Sequence, residues 1–222
     1  MLERLLGIIL PVFAVVALGW FWGRRTQPDM AIVNRLSMNV LAPALIFSAL
    51  SSKSFDLWDN RLLILGSIGI VLGSGLLAWP FAKLLHEDHR TFVPPMMFNN
   101  CGNLGLPLAV LAFGDAMIPL MLLSLGVRMT AIRWSDTRLG VIGGLVCPLT
   151  GLACAGLLAP VLGLDKVQTG LLFLFGCLPP AVLNFMVAEH YRQEPAKVAS
   201  IVLIGNAMSV IFVPIGLMVA LH

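Results

Sequence analysis

The chain has 222 residues, 59% of them hydrophobic and only 11% charged, with a mean hydropathy of +0.94. A soluble domain carries about 25% charged residues, and one core of this length cannot hide so much apolar surface. A water-soluble enzyme and a disordered chain are excluded as readings, the surplus apolar surface must face lipid, and a net charge of +3 is too small to indicate a nucleic-acid partner.

Apolar runs bounded by charged, Pro or Gly-rich punctuation predict eight membrane helices: Leu5–Trp22, Ala31–Leu50, Leu62–Leu85, Phe92–Phe113, Ala116–Ala131, Leu139–Leu164, Val167–Ala188 and Val198–Leu221. A helix needs roughly 20 residues to cross the hydrocarbon, so the fifth is short for a span. The first run is not read as a signal peptide. It has Glu3 ahead of it, Pro11 within it and Arg24–Arg25 directly after it, and it lacks a small-residue cleavage pattern.

Basic residues set the expected orientation. Arg24, Arg25, Arg35, Lys83, Arg90, Arg128, Arg133, Arg138, Arg192 and Lys197 fall on one side, and Arg4, Lys53, Arg61 and Lys166 on the other. This bias predicts an inner or plasma membrane protein with both termini outside and the basic loops cytoplasmic. Cys101, Cys147, Cys154 and Cys177 lie in apolar stretches without a CxxC or a His at ligand spacing, so they read as small buried side chains, with no disulfide framework, metal site or cofactor indicated.

The sequence repeats internally. Pro43–Trp58 matches Pro119–Trp134 in its Pro, Ser and Trp positions, and Leu76–Pro80 is similar to Leu157–Pro160. Gly105–Phe113 matches Cys177–Phe185, with six of eight positions identical from Leu106 onward. A register pairing Pro94-Pro95 with Pro179-Pro180 matches fewer residues. Corresponding spans lie three crossings apart, and an odd number inverts direction, as in several secondary transporters. The expectation is therefore an all-α, multi-pass, inverted-repeat fold. Residues 1–113 form the first unit and 119–222 the second. Each unit lacks one span at 114–118, which reads as the junction of an internal deletion.

The residues with chemical potential sit mid-span. Asn99, Asn100 and Asn103, with Gly102, Gly105 and Pro107, would break an ordinary helix in the fourth span. Irregular backbone at membrane depth survives only where protein or a wet cavity satisfies it. The seventh span repeats the design: Gly176 loosens the chain, Pro179 and Pro180 are expected in the first turn of a new half-helix, and Asn184 about one turn later. Two such breaks, meeting as a crossover, would aim partly positive half-helix ends at the midplane and form an anion site without Lys or Arg. Asn34, Asn39 and Asn206 are weaker candidates for bonds between helices, His86 and His89 read as part of a solvated loop, and no HExxH, GxSxG or buried Asp pair indicates hydrolysis.

FNNCGNLGLPLAVLAFG, RTFVPPMMFNN, IPLMLLSLGVRM, LPPAVLNFMVAE and LPVFAVVALGW resemble the auxin efflux carrier family, and its bacterial malonate or auxin-carrier-like permeases in particular. The resemblance implies ten helices in two inverted halves, a scaffold and a mobile transport unit, a small organic anion such as a carboxylate as substrate, and dimers formed through the scaffold. It implies substrate-binding roles for Asn99, Asn100, Asn103, Gly105, Pro107, Pro179, Pro180 and Asn184. The expected function is secondary active transport in a lipid bilayer. The alternative is an inactive or regulatory protein derived from such a carrier by the deletion.

Overall fold

The computed structural model describes residues 2–26, 58–105 and 136–221. The helices among them, in chain order, are α1 (Leu2–Thr26), α2 (Arg61–Leu84), α3 (His89–Met97), a π-helical turn (Cys101–Gly105), α4 (Thr137–Leu162), α5 (Lys166–Gly176), α6 (Val182–His190) and α7 (Pro195–Leu221). Four segments are long and apolar enough to cross a membrane: Leu6–Thr26 of α1, and all of α2, α4 and α7. They correspond to the first, third, sixth and eighth expected spans. The expected second and fifth spans, the 114–118 junction, Asn34, Asn39 and most of the matched repeat segments lie outside the described residues.

Local chemistry explains where the helices begin and end. Asp88, Asp136 and Asp165 precede α3, α4 and α5, and each carboxylate accepts a backbone N–H of the first turn, from Arg90, Leu139 and Gln168 at 2.8, 2.9 and 2.7 Å. At the far end of α4, Gly163 takes φ +60°, a left-handed stop that suits glycine. α1 runs past its expected end at Trp22 to Thr26. Arg24 and Arg25 suit a last turn, where exposed carbonyls favour cations.

α4 and α7 form the centre, joined through small residues. Gly151 of α4 and Gly176 of α5 lie backbone to backbone, so a Cβ on Gly151 would run into the Gly176 carbonyl. Gly205 of α7 lies beside both Gly144 and Pro180, and Gly216 faces Cys177. Lipid offers no hydrophobic drive between helices, so close backbone approach and dispersion hold them together. Buried apolar residues fill the spaces on either side: Phe92, Met96, Ala78 and Ile201 between α2, α3, α4 and α7, and Ile70, Ala155 and Leu172 between α2, α4 and α5. Outward faces stay apolar, with Leu76 77%, Leu157 68% and Ile211 60% exposed, as lipid contact requires.

One end of the bundle is polar. The loop from α2 to α3 and the loop from α6 to α7 are tied together there. Lys197 Nζ bridges Glu87 at 2.7 Å and Glu194 at 2.8 Å, Thr91 Oγ1 donates to Glu194 at 2.6 Å, and Gln193 Nε2 donates to Asp88 at 2.9 Å. These bonds hold three non-glycine residues, His86, Arg192 and Glu194, at positive φ, a conformation that costs about 1–3 kcal/mol each. His89 stacks on Trp79 at 4.8 Å, and no metal-type cluster of His, Cys, Asp or Glu occurs among the described residues.

Two outcomes follow. Gly151→Val should lower the detergent melting temperature by the equivalent of about 1–3 kcal/mol, the usual cost of overpacking, while Gly156→Ala, whose new Cβ would meet only Phe173 at 3.8 Å, should leave it unchanged. The Glu194 carboxyl is held below the usual carboxylate range, chiefly by its bond with Lys197 and then by Thr91. A depressed carboxyl contributes stability that is present above its unfolded value and lost as pH falls through the folded one. Melting temperature should therefore drop below about pH 4, and Glu194→Gln should lower it at neutral pH and flatten that acid limb.

Candidate functional site

The two interrupted helices meet at their breaks. α3 ends at Met97, and the chain then runs extended through Phe98 and Asn99 before the π-helical turn. α5 ends at Gly176, and Cys177–Ala181 lead into α6. Between the breaks, Asn99 and Pro180 form an antiparallel β-bridge. Asn100 N donates to Pro179 O at 2.8 Å and Ala181 N donates to Phe98 O at 3.0 Å. The paired segments thus run in opposite directions.

The fourth span is interrupted where its Asn and Gly cluster predicts: among the described residues its α-helical part starts at His89 and stops before the asparagines. Pro179 and Pro180 lie elsewhere than expected. They occupy the extended linker, α6 begins only at Val182, and Asn184 falls in its first turn instead of one turn later. A residue before proline is biased away from the helical region, but Pro94 and Pro95 lie inside α3, so at Pro179 and Pro180 that bias takes effect together with the pairing of this segment to Phe98–Asn100.

Tandem prolines create an imbalance. Each contributes a carbonyl and no N–H, so the second break has more acceptors than donors. Side-chain amides supply the missing donors. Asn206 Nδ2 donates to Pro180 O at 2.9 Å and to Val202 O at 2.8 Å. Asn99 Nδ2 donates to Phe175 O at 2.8 Å, across to the last turn of α5, and Asn184 Nδ2 donates to Phe98 O at 2.9 Å, across to the end of α3. Each break thus caps the other. Asn100 Nδ2 donates to Asn206 Oδ1 at 2.8 Å, which fastens both breaks to α7. The four asparagines are all buried. The Cys147 thiol of α4 points at Asn99 Oδ1, 3.6 Å away, with Leu178 O at 3.7 Å and Met96 O at 3.9 Å.

Of the residues singled out in the sequence, the structure brings together Asn99, Asn100 and Gly105 from the first break and Pro179, Pro180 and Asn184 from the second. Gly105 N donates to Asn100 O at 3.0 Å. A Cβ at Gly105 would lie 2.5 Å from Leu178 Cδ1, so glycine lets the second break approach. Asn103 lies in the π-helical turn, and Pro107 lies outside the described residues. Asn206 and Cys147 are integral to the crossover but absent from the expected set. A single Asn in the middle of the apolar α7 was the available signal for Asn206, since a buried amide requires partners. The Ala181 N-cap of α6 supplies no side-chain acceptor, so the leading N–H groups of this half-helix have no cap.

Membrane-length helices around a buried crossover of paired breaks define a multi-pass helical membrane protein. Over residues 5–111, a little under half its length, the chain matches the family described as membrane transport protein. The match runs through α1, α2, α3 and the first break, and agrees with the auxin efflux carrier resemblance. No curated protein and no solved structure matches the chain.

Asn206→Leu removes donors to two carbonyls and an acceptor for Asn100 at once, whereas Asn184→Leu removes one donor. Each buried group left unpaired costs about 1–3 kcal/mol. Thermal unfolding in detergent should show the larger loss for Asn206→Leu, and the Asn100→Leu, Asn206→Leu double variant should lose less than the sum of the singles.

Proposed function

We propose that this protein is a secondary active transporter of small organic anions, carboxylates foremost, with the substrate held at the crossover. The observation that carries the reading is the antiparallel pairing of two helix breaks in an apolar fold, in a chain whose first half matches a membrane transport family. A half-helix N-terminus with no side-chain cap, at Ala181–Val182, favours negative charge through its free N–H groups and dipole. In this reading Asn99, Asn100, Asn103, Gly105, Pro107, Pro179, Pro180 and Asn184 shape the site, with no cationic side chain required. The auxin-carrier resemblance supports carboxylates as the substrate class.

The moving unit in this reading is α2, the broken fourth span, α4, α5–α6 and α7, whose glycine contacts and shared polar end hold them together. α1 belongs to the scaffold and packs against α7 and the crossover through Ile8 and Val12. Lys83, Arg90, Arg138, Arg192 and Lys197 are carried by the α2 end, the starts of α3, α4 and α7, and the α6–α7 loop, which supports a cytoplasmic position for that end and outside termini. Dimers through the scaffold and an inverted-repeat architecture belong to the same proposal.

Liposomes containing the purified 222-residue chain should take up labelled malonate with saturation, and Asn184→Leu or Asn103→Leu should reduce the rate at least tenfold while leaving membrane insertion intact. Absence of flux from the intact chain would instead favour the inactive or regulatory form. Unchanged uptake in both variants would remove the crossover as the site.

A further inference from the structure

A second feature lies beside the crossover and is independent of the transport reading. A cleft of about 560 Å³ opens between α1 and α7, walled by Phe13, Val16 and Trp20 on one side and Leu203, Ala207 and Val210 on the other. Leu104 and Asn206 reach its inner end. The polar atoms there are already used. Asn206 Nδ2 serves Pro180 O and Val202 O, its Oδ1 accepts from Asn100, and the Ser209 hydroxyl donates to Asn206 O at 2.6 Å. A polar solute entering this cleft would lose water and find few donors to replace it. An alkyl chain has nothing to lose.

The α1 wall continues into positive charge. Phe13, Val16, Trp20 and Arg24 follow one another at helical spacing along a single face, and the Arg24 guanidinium lies 5.1 Å from the Trp20 ring centre. Arg25 stands beside it, 4.4 Å from the Phe21 ring. From Phe13 to Arg24 the helix rises about 16 Å, close to one leaflet of a hydrocarbon core roughly 30 Å thick. Apolar lining over one leaflet's depth, ending in two arginines beside aromatic rings, has the dimensions and charge of a bound phospholipid with a negative headgroup.

We propose that the α1–α7 cleft is a binding site for one anionic phospholipid, its acyl chain lying along Phe13, Val16 and Trp20 and its phosphate at Arg24 and Arg25. The lipid would occupy the space between α1 and the helices that carry the crossover.

The test is native mass spectrometry of the full chain released from nanodiscs of equimolar phosphatidylglycerol and phosphatidylcholine. The wild type should retain a single phosphatidylglycerol at least fivefold over phosphatidylcholine. The Arg24→Gln, Arg25→Gln double variant should bring that ratio close to one. Ala207→Phe, at an exposed position on the cleft wall, should reduce retention of both lipids about tenfold. A second readout does not depend on that substitution: acyl-brominated phosphatidylglycerol should quench wild-type tryptophan fluorescence more than that of Trp20→Phe. Equal retention of the two lipids by the wild type, an unchanged ratio in the arginine variant, or equal quenching in Trp20→Phe would overturn the proposal. So would displacement of the retained lipid by malonate, which would make the cleft part of the solute path.

Discussion

The fold turns on one requirement: backbone that leaves the helix in the apolar interior must find every hydrogen bond within the protein. Two helices are broken here, and neither break satisfies itself. The bridge between Asn99 and Pro180 and the bonds from Asn100 N to Pro179 O and from Ala181 N to Phe98 O mean that each break supplies the other. Tandem prolines at 179 and 180 sharpen the requirement by removing two donors and leaving their carbonyls. Asparagine meets it because its amide carries donors and an acceptor without a charge, and charge would be far costlier to bury.

That exchange needs proximity, which the small residues provide. Gly151 against Gly176 brings α4 onto α5 immediately before the second break, Gly205 accepts the Pro180 ring against α7, and Gly105 makes room for Leu178. A side chain at any of these positions would separate the backbones that the asparagines join. Packing and hydrogen bonding are coupled here, since the amides can span the breaks only because the glycines bring them within 3 Å.

Much of this was legible in the sequence, but unevenly. Asn, Gly and Pro clustered within an apolar run is a local signal, and it located both breaks correctly. What it could not convey was pairing. That Asn99 serves Phe175 while Asn184 serves Phe98 depends on two segments about 80 residues apart, and no periodicity encodes such a match. Asn206 was underrated for the same reason: a lone amide on a helix shows that a partner is needed without saying which. Pro179 and Pro180 suit the first turn of a helix in sequence terms, yet tandem prolines are compatible with both states here: Pro94 and Pro95 lie inside α3, whereas Pro179 and Pro180 pair with the first break. α1 is longer than the apolar run that marks it, because the run stops at Trp22 whereas the arginines beyond it suit a final turn. Asp88, Asp136 and Asp165 were readable as helix starts, since each stands just ahead of a helical run.

The crossover's economy constrains how an anion could be held there. Asn99, Asn100 and Asn184 each donate one amide N–H to a protein oxygen and Asn206 donates both, so a carboxylate competing for these bonds would unpick the joint between the breaks. The start of α6 has no side-chain cap, so its first backbone N–H groups are further donors on which a solute could draw without breaking those bonds. On the proposed reading, the asparagines act by fixing that helix end in place, and attraction comes from the helix end itself. This division explains how a binding site for negative charge can lie in a region without lysine or arginine. It also explains why the two functions depend on one another: loosening the amide network would release the α6 terminus from its position, even though no amide donor need touch the solute.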